Sequence, residues 1–292
     1  MRCMDRRGNE IRQNDTQNRI LDFLYSKPLG RLLLRPLIQP WVSRLAGIVL
    51  DSSVSRAFIP LFIKACKIDI KEYEERRYLS YNDFFTRRVK EGRRIIDTKP
   101  SHLIAPCDGK LTVYHIDKDS RFTIKNTSYT LQSLLRSRKL AQYYQGGTLL
   151  LFRLSVDDYH RYCYIDNGKK TKNYRIKGVF HTVNPLANDI YPVYKENTRE
   201  FSVLHSENFG KVLVMEVGAL LVGRIVNYRE EAYVIRGEEK GRFEFGGSTI
   251  IVCLEKGRAV IDKDIVKNSE NGIETKVRMG ERIGEAKSGD KA

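Results

Sequence analysis

The chain has 292 residues, 41% of them hydrophobic and 30% charged, with a formal net charge of +16. That length can bury a full core, and the charge calls for an anionic partner: nucleic acid, an acidic membrane surface or a charged substrate. Cys3, Cys66, Cys107, Cys163 and Cys253 are scattered and form no Cys-x-x-Cys pair, which argues against a disulfide framework or a zinc site and fits a reducing compartment. No segment has about 18 uninterrupted apolar residues, so no spanning helix is expected. The early charges are not followed by the apolar core and cleavage site of a signal peptide.

Residues 1–17 are polar and read as a loose leader. From Arg19 to Gly47 apolar residues recur at helical spacing, among them Leu29, Leu32, Leu33, Leu37, Trp41 and Leu45, interleaved with Lys27, Arg31, Arg35 and Arg44. Pro28, Pro36 and Pro40 break this run into short helices. Residues 1–50 hold nine Lys/Arg against four Asp/Glu. A basic amphipathic segment carrying a tryptophan suits the surface of an anionic bilayer, and equally suits a helix docked on the body. Residues 54–90 continue helical, with a short helix over 81–90 capped by Ser80. Its Phe84-Phe85 pair reads as a packing face.

Beyond Pro100 the texture is that of strands. Asp108-Gly109 is a turn opening a β-run to Ile116, and 121–124 and 148–154 follow as strands around a polar helix at 131–144. Further β-runs lie near 174–180, 201–204, 211–217, 219–226, 231–235 and 250–254. The apolar stretch 212–226 reads as a buried hairpin turning near Gly218, and Gly246-Gly247 reads first as another hairpin turn. The tail from Lys267 is polar and expected to fray. The expectation is an α+β protein: a helical, basic, membrane-docking part over 1–95, then a mainly antiparallel β catalytic domain over 96–292.

Three places hold residues that could do chemistry. Asp108 sits on Pro106-Cys107-Asp108-Gly109, His160 on Asp157-Asp158-Tyr159-His160-Arg161-Tyr162, and Ser248 on Gly246-Gly247-Ser248-Thr249. An Asp that orients a His, and a His that takes a serine proton, are what a hydroxyl needs to become a nucleophile. The Gly-x-Ser-x-Gly elbow of a hydrolase is absent, since Ser248 runs straight into Ile250-Ile251-Val252. The other target is the carbonyl just before Ser248, which Gly247 makes reachable because glycine tolerates the strained geometry. Attack there gives an N→O acyl shift to an ester, then β-elimination cuts the chain. The dehydroalanine left at position 248 hydrolyses, with loss of ammonia, to a pyruvoyl group able to form a Schiff base with an amine.

Asn82-Asp83-Phe84-Phe85-Thr86-Arg87, Pro106-Cys107-Asp108-Gly109, Asp158-Tyr159-His160-Arg161 and Gly246-Gly247-Ser248-Thr249 occur in this order in one chain. The set, spanning roughly residues 80–255, resembles the phosphatidylserine decarboxylases, self-processing pyruvoyl enzymes. The resemblance implies cleavage between Gly247 and Ser248 into a large β chain (1–247) and a small α chain (248–292) that stay together. It implies Asp108, His160 and Ser248 as the self-cleavage triad, pyruvate derived from Ser248 as cofactor, and no metal. Phosphatidylserine is the implied substrate, with His160 also moving protons in the decarboxylation that gives phosphatidylethanolamine.

One departure stands out. Many members carry a second histidine three residues after the first, where this chain has Cys163, so either His160 serves both reactions or His181 substitutes. Arg87 and Arg161 are conceivable contacts for the lipid phosphate. The charge then suits docking of the N-terminal part on an anionic membrane, peripherally and from the cytoplasmic side. No helix-turn-helix, zinc finger or RNP-type pattern supports a nucleic-acid partner. A serine hydrolase using the same three residues, and a non-catalytic anion-binding module, are the alternatives.

Overall fold

The computed structural model describes residues 2–11, 23–124, 127–183, 192–219, 224–244 and 248–287. At its centre is the strand Ser248–Leu254, a β-branched run in which every residue is buried. A continuous apolar run of this length suits a strand covered on both faces. It pairs antiparallel with Thr148–Leu154 on one side, Ser248 opposite Leu154, and with Gly210–Val217 on the other, Thr249 opposite Val217. The sheet grows outward from this trio. On one edge come Gly109–His115, Glu274–Val277 and Cys3–Met4, the last pair parallel; on the other come Arg199–Ser206, Gly168–Lys170 and Ala232–Val234, with Tyr174–Ile176 also on Arg199–Ser206. Among the described residues three smaller antiparallel sheets accompany it, so the body is α+β and mainly antiparallel, as expected.

Helices gather toward the N-terminus. Pro28 and Pro40 open the helices Pro28–Leu37 and Pro40–Asp51, where a missing N–H costs nothing and the fixed φ helps. A 3₁₀ segment Ser53–Phe58 and the helix Ile59–Cys66 follow. Ser80 caps the helix Tyr81–Phe85, its Oγ accepting from Asp83 N at 3.1 Å. That helix stops at Phe85 instead of reaching Lys90, because residues 86–90 turn extended: Val89 bridges Tyr73, and Lys90 N donates to the Glu72 carbonyl. Phe84 and Phe85 are buried, so the aromatic pair is a packing face.

Several sequence expectations need correction. The described part of the leader, residues 2–11, is docked: Cys3–Met4 adds to Glu274–Val277, and Arg6 donates to Asp262 and Asp264. The polar tail does not fray at Lys267, since the helix Lys263–Glu270 and the strands Glu274–Val277 and Arg282–Ala286 follow. The stretch 212–226 is not a hairpin. Its second strand, Arg224–Asn227, pairs with Glu239–Glu244 in another sheet, a layering that brings Lys240 Nζ to 2.7 Å from the buried Glu216 carboxylate. Nor do the strands flanking the Gly-Gly pair form a hairpin: Glu239–Glu244 and Ser248–Leu254 belong to different sheets. Gly246 and Gly247 themselves lie outside the described residues. The polar helix at 131–144 is two short helices, Leu131–Leu135 and Arg138–Gln142, separated by Arg136 at φ 52°.

Candidate active site

The sheet brings two of the three chemical motifs to one end. Lys110 faces Arg153 and Ser248 faces Leu154, so the Asp108-Gly109 turn and Ser248 flank the end of the Thr148–Leu154 strand. With neighbouring strands about 4.8 Å apart, Gly109 and Ser248 are roughly two spacings, or about 10 Å, from each other across the sheet. Gly109 lets the two strands approach closely here, since a Cβ at this position would lie a tight 3.0 Å from the Arg153 carbonyl oxygen. The chain leaving Leu154 carries the third motif, Asp157 to His160.

Ser248 and Thr249 are fully buried, and among the described residues neither hydroxyl has a hydrogen-bond partner. As consecutive strand residues they point to opposite faces. A buried hydroxyl without a partner costs on the order of 1–3 kcal/mol and is rare enough to ask for a reason.

His160 is buried, its ring centroid 4.3 Å from that of Phe85. Its Nδ1 lies 2.9 Å from the Asp158 carbonyl oxygen. A carbonyl only accepts, so Nδ1 carries a proton, and when the ring is neutral its lone pair is on Nε2. Asp158 is in turn fixed through its side chain. Its carboxylate accepts from Ser155 N at 2.7 Å and from Lys110 Nζ at 3.4 Å, and pairs with Lys276. Burial acts to raise this carboxyl, but Lys110 and Lys276 outweigh it and hold Asp158 well below the usual carboxylate range.

Asp108 is held elsewhere than the triad expectation places it. Its carboxylate receives Arg94 Nε at 2.8 Å and Nη2 at 2.5 Å, together with Met279 N at 2.9 Å. Among the described residues Asp108 and His160 share no hydrogen bond; the imidazole is oriented by the Asp158 carbonyl. The reason is the turn's anchoring: the Pro106 carbonyl accepts from Cys163 N at 2.8 Å, which sets Asp108 beside position 163. Cys163 is buried, and burial, with the Asp108 and Glu239 charges adding, pushes its thiol up to about 12.

His181 lies against the N-terminal helical part. It is buried, with Nδ1 3.3 Å from Tyr25 Oη and Nε2 3.4 Å from Glu196, and burial pushes its pKa down to about 4. Asn197 connects this region to the end of the Gly210–Val217 strand, donating from one amide to the carbonyls of His181 and Gly218. The two arginines considered for lipid phosphate are already engaged. Arg87 is fully buried, its guanidinium 4.2 Å from the Tyr73 ring and 4.9 Å from the Phe84 ring. Arg161 donates to the Thr86 carbonyl and pairs with Glu239 at 2.5 Å. Sequence reasoning missed Arg94, Lys110 and Lys276. Lys110 follows the Asp-Gly turn directly, which was the one available hint; the others carry no local signal.

The residues present are a buried serine hydroxyl with no hydrogen-bond partner among the described residues, an aspartate clamped by an arginine at the same sheet end, and a histidine whose Nδ1 is held by the Asp158 carbonyl on the chain leaving that end. The phosphatidylserine decarboxylase family model matches residues 81–285. The chain is 48% identical over 270 residues to a protein of Clostridium acetobutylicum named phosphatidylserine decarboxylase proenzyme 2, covering 92% of each. It is 42% identical over 270 residues to the phosphatidylserine decarboxylase proenzyme of Clostridium novyi, covering 90% of this chain and 92% of the relative. The proenzyme of Fusobacterium nucleatum is 36% identical over 292 residues, covering 98% and 97%.

Proposed function

The chain belongs to the phosphatidylserine decarboxylase family, and on that premise we propose that Ser248 is the source of its prosthetic group. Its reaction is decarboxylation of phosphatidylserine to phosphatidylethanolamine by a pyruvoyl enzyme made through self-processing. The observation that carries the assignment is the buried Ser248 hydroxyl, unpartnered among the described residues at the head of the central strand. A buried hydroxyl with no bond to break among the described residues is suited to attack the carbonyl before it.

In this reading His160 takes the Ser248 proton through Nε2, since Asp158 holds the other ring nitrogen as a donor. Asp108, neutralised in part by Arg94, supplies negative charge at the same sheet end instead of a direct bond to the imidazole. The Phe85 ring covers one side of His160 and limits access of water. A pyruvoyl group at position 248 would supply the electrophilic carbonyl for the substrate amine and the electron sink for loss of CO2. His160 is then the group that returns a proton to the product carbon.

Cleavage before Ser248 would leave the two chains interlocked. The small chain contributes Ser248–Leu254, flanked by two large-chain strands, and Glu274–Val277, flanked by Gly109–His115 and Cys3–Met4. For the N-terminal part we propose peripheral docking on an anionic, cytoplasm-facing bilayer. Leu29, Leu32, Trp41, Leu45 and Ile48 are exposed beside Arg31, Arg35 and Arg44. Among the described residues no single helix is long and apolar enough to cross a membrane, and the pair that passes by length and composition is bent by 80°. Each near-surface cation adds on the order of 1 kcal/mol of attraction to an acidic leaflet.

Mass spectrometry of the purified chain tests the central claim. The expected result is a fragment beginning at position 248, lighter than its serine-started equivalent by one ammonia. Ser248→Ala should leave a single uncut chain with no decarboxylation; activity in that variant would reject the assignment. A serine hydrolase would instead show an uncut chain whose Ser248 reacts with a fluorophosphonate.

A further inference from the structure

A cavity of about 560 Å³ opens away from Ser248 on the face of the sheet beneath the Leu131–Leu135 and Arg138–Gln142 helices. Its floor is Phe201 and Val203, its walls include Leu135 and Leu140, and the Tyr174 ring stacks on Phe201 with centroids 5.4 Å apart. Arg199 is in register with Val217, and Val217 with Thr249. Val203 stands four residues beyond Arg199, about 13 Å along the strand, so the cavity is separate from the Ser248 site. Its size is within the roughly 300–1,000 Å³ of small-molecule pockets.

The charge around this apolar floor has one sign. Arg136, Arg175 and Lys211 line the cavity, and no aspartate or glutamate is among the described residues that do. None of the three makes an ion pair among the described residues; the Lys211 ammonium lies 4.1 Å from the Tyr143 ring. Arg199, on the same face as Phe201, donates among the described residues only to carbonyls, those of Leu134, Lys195 and Asn197 each at 2.8 Å and that of Ser133 at 3.3 Å. Burial and then the neighbouring Arg136 push its pKa down to about 10, as expected where no carboxylate offsets the positive charge. Arg136 itself adopts φ 52°, a conformation unfavourable for a side-chain-bearing residue.

We propose that this cavity binds a single-chain amphiphile with an anionic head, of the fatty-acid class, the acyl chain over Phe201 and Val203 and the carboxylate between Arg136 and Lys211. The apolar floor alone would take any hydrocarbon; the cations, which make no ion pair among the described residues, select the anionic head. This site is independent of the decarboxylation reading, and its test does not use turnover.

The processed enzyme is titrated with cis-parinaric acid below its micelle concentration, and the probe's fluorescence is followed. Saturable enhancement, displaced by oleate but not by oleyl alcohol or inorganic phosphate, is the expected result. The Arg136→Glu/Lys211→Glu variant should bind at least roughly thirtyfold more weakly, the fold-change expected from losing two near-surface cations alone, before the added repulsion of two carboxylates. Arg136→Gly is the companion that keeps the turn, since glycine accepts this φ, and it should weaken binding severalfold with an unchanged circular dichroism spectrum. Unsaturable enhancement, equal affinity in the charge variants, or displacement by oleyl alcohol as good as by oleate would each overturn the proposal. So would a change in sedimentation of the variants with probe binding intact, which would make this face a contact between copies of the chain.

Discussion

Lys276→Met tests how the histidine is held. Lys276 lies in the segment that becomes the small chain, and its partner Asp158 in the large one. Removing the ammonium leaves the buried Asp158 carboxylate with Lys110 at 3.4 Å and Ser155 N at 2.7 Å. Breaking a buried pair from one side costs about 3–5 kcal/mol; because a second lysine and a backbone donor remain, about 3 kcal/mol is expected. The measurement is urea unfolding in a Ser248→Ala background, which keeps one uncut chain and a single transition to follow. Asp158 is held below its unfolded pKa, so its contribution is present above about pH 4 and is lost as pH falls further. The difference between Lys276→Met and its parent should therefore shrink below about pH 4. In the Ser248 chain the same substitution should slow self-cleavage, since the Asp158 carbonyl that orients His160 is no longer anchored by both lysines. A stability difference that is independent of pH from 7 to 3, or cleavage at the parent rate, would refute the electrostatic clamp.

Two further outcomes follow from local geometry. Ser80→Ala, which removes the bond to Asp83 N, should cost about 1 kcal/mol in the same unfolding assay; a cost near zero would mean the cap is redundant with the Arg76–Asp83 pair. His181 is pushed down to about 4 by burial against an unfolded value near 6.5. Folding then excludes its proton, so its contribution is full above about pH 6.5 and declines by about 3 kcal/mol as pH falls toward 4. His181→Gln should flatten the pH dependence of the urea midpoint between pH 7 and 5, and an identical slope in the variant would remove His181 as its cause.

What could be read from the chain was local. The runs 148–154 and 250–254 announce buried strands because the apolar side chains are contiguous, and the Ser80 cap and the Asp108-Gly109 turn are short-range chemistry. What could not be read depends on register between distant segments. Cys3–Met4 joins Glu274–Val277 across almost the whole chain, and the polar look of 267–287 hides strands whose buried Glu274 is neutralised by Arg153 at 2.5 Å. The stretch 212–226 misleads for the same reason. Contiguous hydrophobicity says that both strands are buried, but Arg224–Asn227 is only partly covered, and it lies in a different sheet, joined to the first strand through Glu216 and Lys240. The site follows the pattern: the chemical residues stand in recognisable motifs, while the partners Arg94, Lys110 and Lys276 are set by sheet pairing.

Cys163 is where motif and geometry part most sharply, and it can be tested directly. Chain order pairs Asp108 with His160, but the turn bearing Asp108 is bonded to the backbone of position 163, and the Asp108 charge helps raise the Cys163 thiol. An imidazole at 163 would meet the carboxylate that His160 does not. In the uncut His160→Ala chain, adding Cys163→His should restore measurable self-cleavage, seen as the appearance of the 248-started fragment over time. The larger side chain in a buried position should cost about 1–3 kcal/mol by overpacking, so circular dichroism and the urea midpoint must show that the variant is folded. Since Asp108 supplies the local charge, Asp108→Asn should abolish the rescue. A folded double variant that stays uncut, or a rescue that survives Asp108→Asn, would show that the Asp108 environment does not reach position 163 in the way the turn geometry requires.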